Sequence, residues 1–506
     1  MRYLVLAFLA LLSVTTYSQK KPGNPKPYAA TITDADLKRH LNIVAGAEME
    51  GRETATAGER KAAAYIENHF KSLGLLPGNQ GSYRQAFPVY RDSLTIAKMM
   101  VNGTPLVVDT DFQPSPLYST ESKFYFSEVV YAGYGIIDSV YDSYGKTNVA
   151  GKAVVVMEGG PAGLKGGTGR FSPTGTAAKV NHARSKGAAA VFIVASNFSP
   201  NIFGNRMYVS LYRDAQYPPT YLINDKTAER ILGANWPAMK ESLKAEKPEP
   251  KAYKAEVAVS IEKHIRMLSA NNVLGVLEGT DKKDEYVILT AHYDHLGKRG
   301  DAIYYGANDD GSGTVSILEM AEAFAKAKAA GKGPRRSIIF MTVSGEEKGL
   351  WGSAYYAAHP TVSPEKISAN LNIDMVGRID IDRKKPDSLN YVYIVGDDKI
   401  SSESTPMTES LNNKYTKLGL DYKFNDPKDP ERIYYRSDHY NFAKIGVPII
   451  FYTDGVTKPD YHRPTDTPDK INYTLLAKRA QLVFYTAWEM ANRETLMKRD
   501  RPLPKE

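Results

Sequence analysis

The chain has 506 residues, 42% of them hydrophobic and 24% charged, with 65 Lys and Arg against 57 Asp and Glu. That length allows two or three domains with a sizeable core, and the composition excludes wholesale disorder, a collagen-like repeat and a multi-span membrane protein. The net charge of +8 and the pI near 9.0 arise from basic residues scattered along the chain, which reads as a solvated surface and no nucleic-acid footprint. With no cysteine there are no disulfides, thiolate metal sites or cysteine nucleophiles, so any metal must be held by His and carboxylates.

Met1-Arg2, the apolar run Tyr3 to Leu12 and the small residues Thr16 and Ser18 have the layout of a secretory signal peptide cut before Gln19. Ten apolar residues fall well short of the roughly 20 needed to span a bilayer. The expected mature protein is periplasmic or extracellular, with no membrane attachment after cleavage.

Lys20 to Tyr28 is a Pro- and Lys-rich tail. Ala63, Ile66, Phe70 and Leu73 recur at helical spacing and predict a helix over Glu59 to Leu73, closed by Gly74. From Ser127 the texture changes to short β-rich runs, Val129 to Tyr131 and Ala153 to Val156, then a helix from Thr176 to Lys186 and a strand from Ala190 to Val194. This reads as a compact α/β insert, ending at the charged, Pro-containing stretch Glu246 to Lys251.

Beyond it, strands are predicted at Val273 to Leu277, Val287 to Thr290, Ser337 to Val343, Asn370 to Met375, Tyr391 to Val395 and Val447 to Tyr452. Helices are expected at Ser312 to Lys328 and Tyr473 to Asn492. The fold class is therefore α/β: a mixed, mostly parallel sheet with helices on both faces, plus a small β-rich inserted domain. Such sheets bind ligands outside the carboxyl ends of their strands.

Metal-ligand residue types follow those strand ends. They are His292, Asp309 in Gly306-Ala307-Asn308-Asp309-Asp310-Gly311, the pair Glu346-Glu347, Asp374, and His462. Each alone is an ordinary surface residue; together at one sheet edge they make a metal site. Two His and three carboxylates suit zinc, and five ligands serve two ions if one carboxylate bridges. The Glu346-Glu347 pair supplies one ligand and one base for the attacking water.

The segments Ala291-His292-Tyr293-Asp294-His295-Leu296-Gly297, Gly306 to Gly313, Gly345-Glu346-Glu347, Asn372-Ile373-Asp374-Met375 and Tyr461-His462 resemble the co-catalytic zinc aminopeptidase family. That family also includes glutamate carboxypeptidases, glutaminyl cyclases and the transferrin receptor. The resemblance covers Asn271 to Arg493 and extends to Gly51-Arg52 through Gly74. It implies a zinc-exopeptidase fold and two Zn2+ per chain: His292 and Asp374 on one, Glu347 and His462 on the other, Asp309 bridging. It also implies Glu346 as general base and Asp294 as the carboxylate behind the histidine. From its place two residues along the strand, Asp294 is expected to accept the remaining ring N–H of His292 and fix the tautomer. Tyr461 is a candidate donor to the developing oxyanion, and Asp438, in Arg436-Ser437-Asp438-His439, a candidate buttress of the site.

The resulting division is 1–18 signal peptide, 19–126 N-terminal part of the peptidase domain, 127–245 protease-associated-like insert, 246–256 linker, 257–495 catalytic domain and 496–506 tail. A glutaminyl cyclase would lack part of the two-metal set, and a receptor-type relative would have lost ligands or base; neither loss is seen. The expected activity is hydrolysis of N-terminal residues from peptides, with dipeptidase or carboxypeptidase action second and peptide binding alone third.

Overall fold

The computed structural model describes residues 23–503 apart from 116–117, 119–120, 140, 162–163, 165–171, 199–207, 211–216, 244–249, 388 and 456–458. The signal-peptide segment Met1 to Ser18 and residues 246–249 of the expected linker lie outside the described residues. No described helix is long and apolar enough to cross a membrane. The chain divides into two compact units, Met1–Phe87 with Ala270–Glu506, and Pro88–Ser269.

In the first unit the sheet is built from β1 (Lys251–Leu277, of which 273–277 take part here), β2 (Lys282–His292), β3 (Arg336–Val343), β4 (Ile367–Ile373), β5 (Tyr391–Val395), β6 (Gly419–Asp421) and β7 (Ile449–Thr453). Their order is β6-β5-β7-β4-β2-β3-β1. The β2–β3, β2–β4, β4–β7 and β5–β6 pairings are parallel, and β1–β3 and β5–β7 antiparallel. The mixed, mostly parallel sheet read from the sequence is thus present.

Strands covered on both faces need apolar residues at every position, not at alternate ones. β3 follows this rule from Ile338 to Met341, and all eight of its residues are buried. Ile338 and Phe340 face one core and Ile339, Met341 and Val343 the other. The first core is closed by α1 (Asp34–Val44), α2 (Ala57–Ser72), α3 (Ser312–Ala329) and the C-terminal helix α6 (Tyr473–Asn492), where Phe324 lies 4.5 Å from Phe484 and 5.7 Å from Trp488 between ring centroids. The second is closed by α4 (Trp351–Ala358) and α5 (His439–Lys444), through Tyr356 against Phe442.

α1 was not anticipated. Its sequence is rich in charge, and only the narrow stripe Leu37, Leu41 and Val44 faces the core, behind a Thr33 cap that accepts the Asp36 N–H. α3 departs from a one-sided amphipathic helix, because most of its turns are buried among the sheet, α2 and α6.

The second unit is a parallel four-stranded array, Ser122–Tyr131, Ala153–Met157, Ala190–Val194 and Thr220–Ile223, flanked by antiparallel partners at Phe112–Pro114 and in Lys251–Ile261. Its extent, Pro88–Ser269, is wider than the expected 127–245 insert. The linker expected over 246–256 is strand from Lys251 onward. Behind the Pro, Glu and Lys residues lies an alternation of buried Ala255, Val257, Val259 and Ile261, the period of a half-covered strand.

His439 offers a test of the packing in the first unit. Its ring stacks on Phe451 with centroids 4.5 Å apart, Nε2 lies 2.7 Å from the Tyr434 carbonyl, and complete burial holds its pKa down to about 3. A histidine depressed from about 6.5 stabilises the fold above pH 6.5 and loses that contribution as pH falls toward 3. At pH 5 the loss is about 2 kcal/mol. His439→Gln cannot titrate, so the gap in melting temperature between wild type and variant should narrow as pH is lowered from 7 to 5. Scanning calorimetry showing a constant gap would overturn this reading.

Candidate metal centre

The site is assembled by backbone hydrogen bonds to buried side chains. Asp310 accepts the N–H groups of His292 (3.2 Å), Gly313 (2.8 Å) and Met375 (3.1 Å), which ties the ends of β2 and β4 to the start of α3. Asp466 accepts the N–H groups of Asn308 and Asp309 at 2.9 and 3.1 Å and fixes the loop that carries Asp309. Arg52, fully buried, donates to the carbonyls of Val44, Tyr293, Tyr305 and Gly306 at 2.6 to 2.9 Å. Gly306 is left-handed at φ 57°, and a Cβ there would lie 2.5 Å from His295 Cγ, so this turn admits only glycine. The Asp309-Asp310 peptide bond is cis.

These supports bring together the residues expected from the sequence. His292 Nε2 lies 3.2 Å from Asp309 Oδ1 and 3.6 Å from Asp374 Oδ1. His462 Nε2 lies 3.1 Å from both Asp309 Oδ2 and Glu347 Oε2. Donor atoms each about 2.0 to 2.2 Å from one zinc lie about 3 to 3.5 Å apart, and these pairs have that spacing. Asp309 turns one oxygen to each group. His292 Nε2, Asp309 Oδ2 and Glu347 Oε1 are buried without a hydrogen-bond partner among the described residues, a cost that a bound cation removes. The imidazole and carboxylate donors therefore fit a pair of zinc ions.

The adjacent glutamates differ. Burial pushes both carboxyls up; at Glu347 the imidazoles of His295 and His462 outweigh it and hold the pKa at about 2. Glu346 stays well above the ordinary carboxylate range, through burial and the facing Asp374 and Glu347 carboxylates, despite His292. One is suited to hold a cation and the other to exchange a proton.

Three expectations change in detail. The Asp294 carboxylate does not accept the His292 ring N–H: His292 Nδ1 sits 3.1 Å from the Asp294 carbonyl oxygen and 3.7 Å from its Oδ1. β2 ends at His292, so the same-face rule for residues two apart no longer holds. The carboxylate instead accepts from Thr54 Oγ1 at 2.8 Å and from the Glu346 N–H at 3.1 Å, setting the position of the base. Asp438 accepts from Ser353 at 2.5 Å, and burial raises its pKa to about 7; the neighbouring Ser437 is the residue that reaches the site, donating to Asp374 Oδ2 at 2.7 Å. The Tyr461 ring stacks on His462 with centroids 3.8 Å apart, and its hydroxyl lies 3.3 Å from Arg436. Burial and the Asp309 and Glu347 carboxylates raise its pKa and keep the phenol protonated.

Sequence reasoning missed Arg52, Asp466 and Ser437 as supports and passed over His295, which groups with Asp309 and Glu347 as a set able to hold an ion. Beside Glu346 and Asp374, the side chains of Met375, Ile433 and Phe451 form an apolar wall of the cleft, which Arg436 and Tyr461 also line.

The profile of peptidase family M28 matches residues 272–487. A probable leucine aminopeptidase of Trichophyton verrucosum is 32% identical over 216 residues, covering 42% of this chain and 55% of that protein. A probable zinc metalloprotease of Pyrenophora tritici-repentis is 29% identical over 211 residues, 37% of this chain and 42% of that one. The chain thus spans about half the length of the curated relatives it matches. The solved aminopeptidase from Aneurinibacillus sp. strain AM-1 covers 96% of this chain and 100% of its own at a TM-score of 0.58 and 21% identity, a likeness of fold. The sheet and the strand-end ligands lie within the segment, residues 272–487, that matches the profile of peptidase family M28.

Proposed function

We propose that the protein is an exported two-zinc aminopeptidase that removes apolar residues from the N-termini of peptides. The observation that carries this reading is the division of Asp309, one oxygen toward His292 and the other toward His462, as a carboxylate shared by two ions requires. The names of the relatives, a leucine aminopeptidase and a zinc metalloprotease, support it.

Zinc held by His292, Asp309, Asp374, Glu347 and His462 would supply Lewis acidity, lowering the pKa of water and polarising a peptide carbonyl. Glu346, with its raised pKa, takes the proton of the attacking water and returns it to the leaving amine. Asp294 and Thr54 hold the base in place through the Glu346 N–H. Tyr461 offers its O–H to the developing oxyanion. Met375, Ile433 and Phe451 receive an apolar side chain and exclude water.

Arg436 on the same cleft favours a second reading, in which a guanidinium holds a substrate carboxylate and the enzyme trims C-termini. A free-amine peptide and its N-acetylated copy separate the two. Mass analysis should show loss of N-terminal residues from the first and no trimming of the second; equal trimming of both from the carboxyl end would replace the aminopeptidase reading.

The adjacent glutamates give the mechanistic test. Glu346→Gln should lower turnover by about 10² to 10⁴-fold while two zinc ions stay bound. Glu347→Gln should lose zinc, and with it melting temperature, because a neutral amide replaces an anionic donor. Metal content and turnover measured side by side decide; zinc loss in the Glu346 variant alone would reverse the roles.

Export is the reading of Met1 to Ser18. N-terminal sequencing of the protein recovered outside the cytoplasm should return Gln19, and a protein beginning at Met1 would count against cleavage.

A further inference from the structure

We propose that Glu59 is a positioning residue that works as a neutral carboxylic acid, donating its proton to the Tyr293 hydroxyl and so fixing the turn that carries His292 and Asp294. Its effect on zinc and turnover rests on the two-zinc reading above, while its protonation does not.

Thr56 and Glu59, at the start of α2, have the spacing of a capping box, in which the glutamate turns back onto the backbone N–H of the threonine. Here the Thr56 N–H donates to the Glu53 carbonyl at 3.1 Å, and Glu59 turns inward, 0% exposed. Two other segments of chain meet it there. The Asn271 N–H of β1 donates to Glu59 Oε1 at 3.2 Å, and Tyr293 Oη, just beyond the end of β2, lies 2.5 Å from the same oxygen.

A phenol has one proton to donate. Tyr293 Oη also lies 2.6 Å from the Asn271 carbonyl oxygen, which can only accept. That distance is a hydrogen bond, so the tyrosine proton points at the carbonyl. The contact with Glu59 is just as short and needs a proton of its own, which a protonated Glu59 supplies. The surroundings favour that form. The start of a helix draws a carboxyl toward its ionised form. Complete burial outweighs this, and Asp294 is the charge that faces it; against the hydrogen bonds from Tyr293, Asn271 and Ser344 they push the Glu59 pKa up to about 7. The groups facing Glu59 from the packed segments are thus Tyr293 and Asp294 beyond β2, Asn271 on β1 and Ser344 beyond β3.

Tyr293 ties this proton to the site. Its N–H donates to the Val343 carbonyl at 2.9 Å, and its carbonyl accepts Arg52 Nε at 2.6 Å, so Glu59 and Asn271 complete the fixing of a residue already held by its backbone. His292, a zinc ligand, precedes it, and Asp294, which accepts the Glu346 N–H, follows it. When Glu59 releases its proton to solvent, its carboxylate draws the Tyr293 O–H to itself. The Asn271 carbonyl then loses its donor, and a second negative charge faces Asp294. The turn between ligand and base support is loosened from α2 and β1 together.

The experiment compares the full-length wild type, Glu59→Gln and Glu59→Ala by infrared difference spectroscopy, zinc titration and turnover from pH 6 to 9. Glutamine donates an amide N–H to Tyr293 and accepts from Asn271, as the neutral acid does, and it cannot ionise. At pH 6 the wild type minus Glu59→Gln spectrum should show the carbonyl band of one protonated carboxylic acid, fading as pH rises through about 7. Glu59→Gln should keep wild-type zinc affinity and turnover at pH 6, and Glu59→Ala should lower both by about 10 to 100-fold. The ratio of Glu59→Gln to wild-type turnover should climb toward the same factor by pH 9. No acid band in wild type, a flat ratio, or a Glu59→Gln protein that is unfolded or impaired at pH 6 overturns the neutral-acid role. An acid band with zinc affinity and turnover unchanged in both variants overturns the positioning role; should Glu59→Ala not fold, the band and the Glu59→Gln ratio decide. Fewer than two ions in wild type overturns the two-zinc reading alone, because the band and the ratio are read without it.

Discussion

Carboxylates crowded into a dry pocket repel one another until a cation sits among them, and much of the first unit serves to hold them there regardless. Asp294, Asp309, Glu346, Glu347 and Asp374 meet at one sheet edge, where burial and neighbouring carboxylates raise the pKa of Asp294 and Glu346 while the facing histidines hold Asp309 and Glu347 down. Arg52 counters part of this from behind. Burial lowers its pKa to about 10, while Asp294, Asp466, Asp310 and Asp309 oppose the shift, so it remains a fixed positive charge at neutral pH. Its four carbonyl acceptors make it a brace as well as a counter-charge. Asp310 and Asp466 do the complementary work, their carboxyl oxygens accepting N–H groups from three segments of chain.

The same repulsion explains how two neighbouring glutamates acquire opposite chemistry. Glu346 and Glu347 share a loop and are both buried, yet only Glu347 faces two imidazoles. The backbone turn after β3 sends one side chain toward His295 and His462 and the other toward the cleft wall with Asp374. A one-residue offset is enough to separate a ligand from a base.

How much of this was legible in the sequence follows from the range of the interactions. The ligands could be read because a parallel sheet places the residues after its strands at one edge, whatever their distance along the chain. β3 was visible as the apolar run Ile338 to Met341, and β4 as an alternation of Ile367, Ala369, Leu371 and Ile373 with Ser and Asn. The long strands Arg84–Val101 and Lys251–Leu277 were hidden, because proline and charged residues interrupt an alternation that is otherwise regular. Arg52 gave no local sign of its role, since its partners Tyr293 and Gly306 are more than 240 positions away. The Asp294 contact failed for a local reason, the end of β2 at His292. His295 gave no local sign of its role, because its partner Glu347 follows a different strand.

The insertion of Pro88–Ser269 between the two parts of the first unit has a consequence for biosynthesis. α1, α2, Arg52 and Thr54 leave the ribosome early, but the sheet they pack against follows roughly 180 residues later. At about 5 to 20 residues per second the delay is on the order of ten seconds or more. The second unit draws its cores from its own residues, so it can form during that interval. The early segment cannot: Leu41, Ile66 and Phe70 have their partners in chain not yet made. For that time the nascent protein carries a finished unit behind an unfinished apolar leader, the form in which chaperone binding or aggregation would compete with assembly.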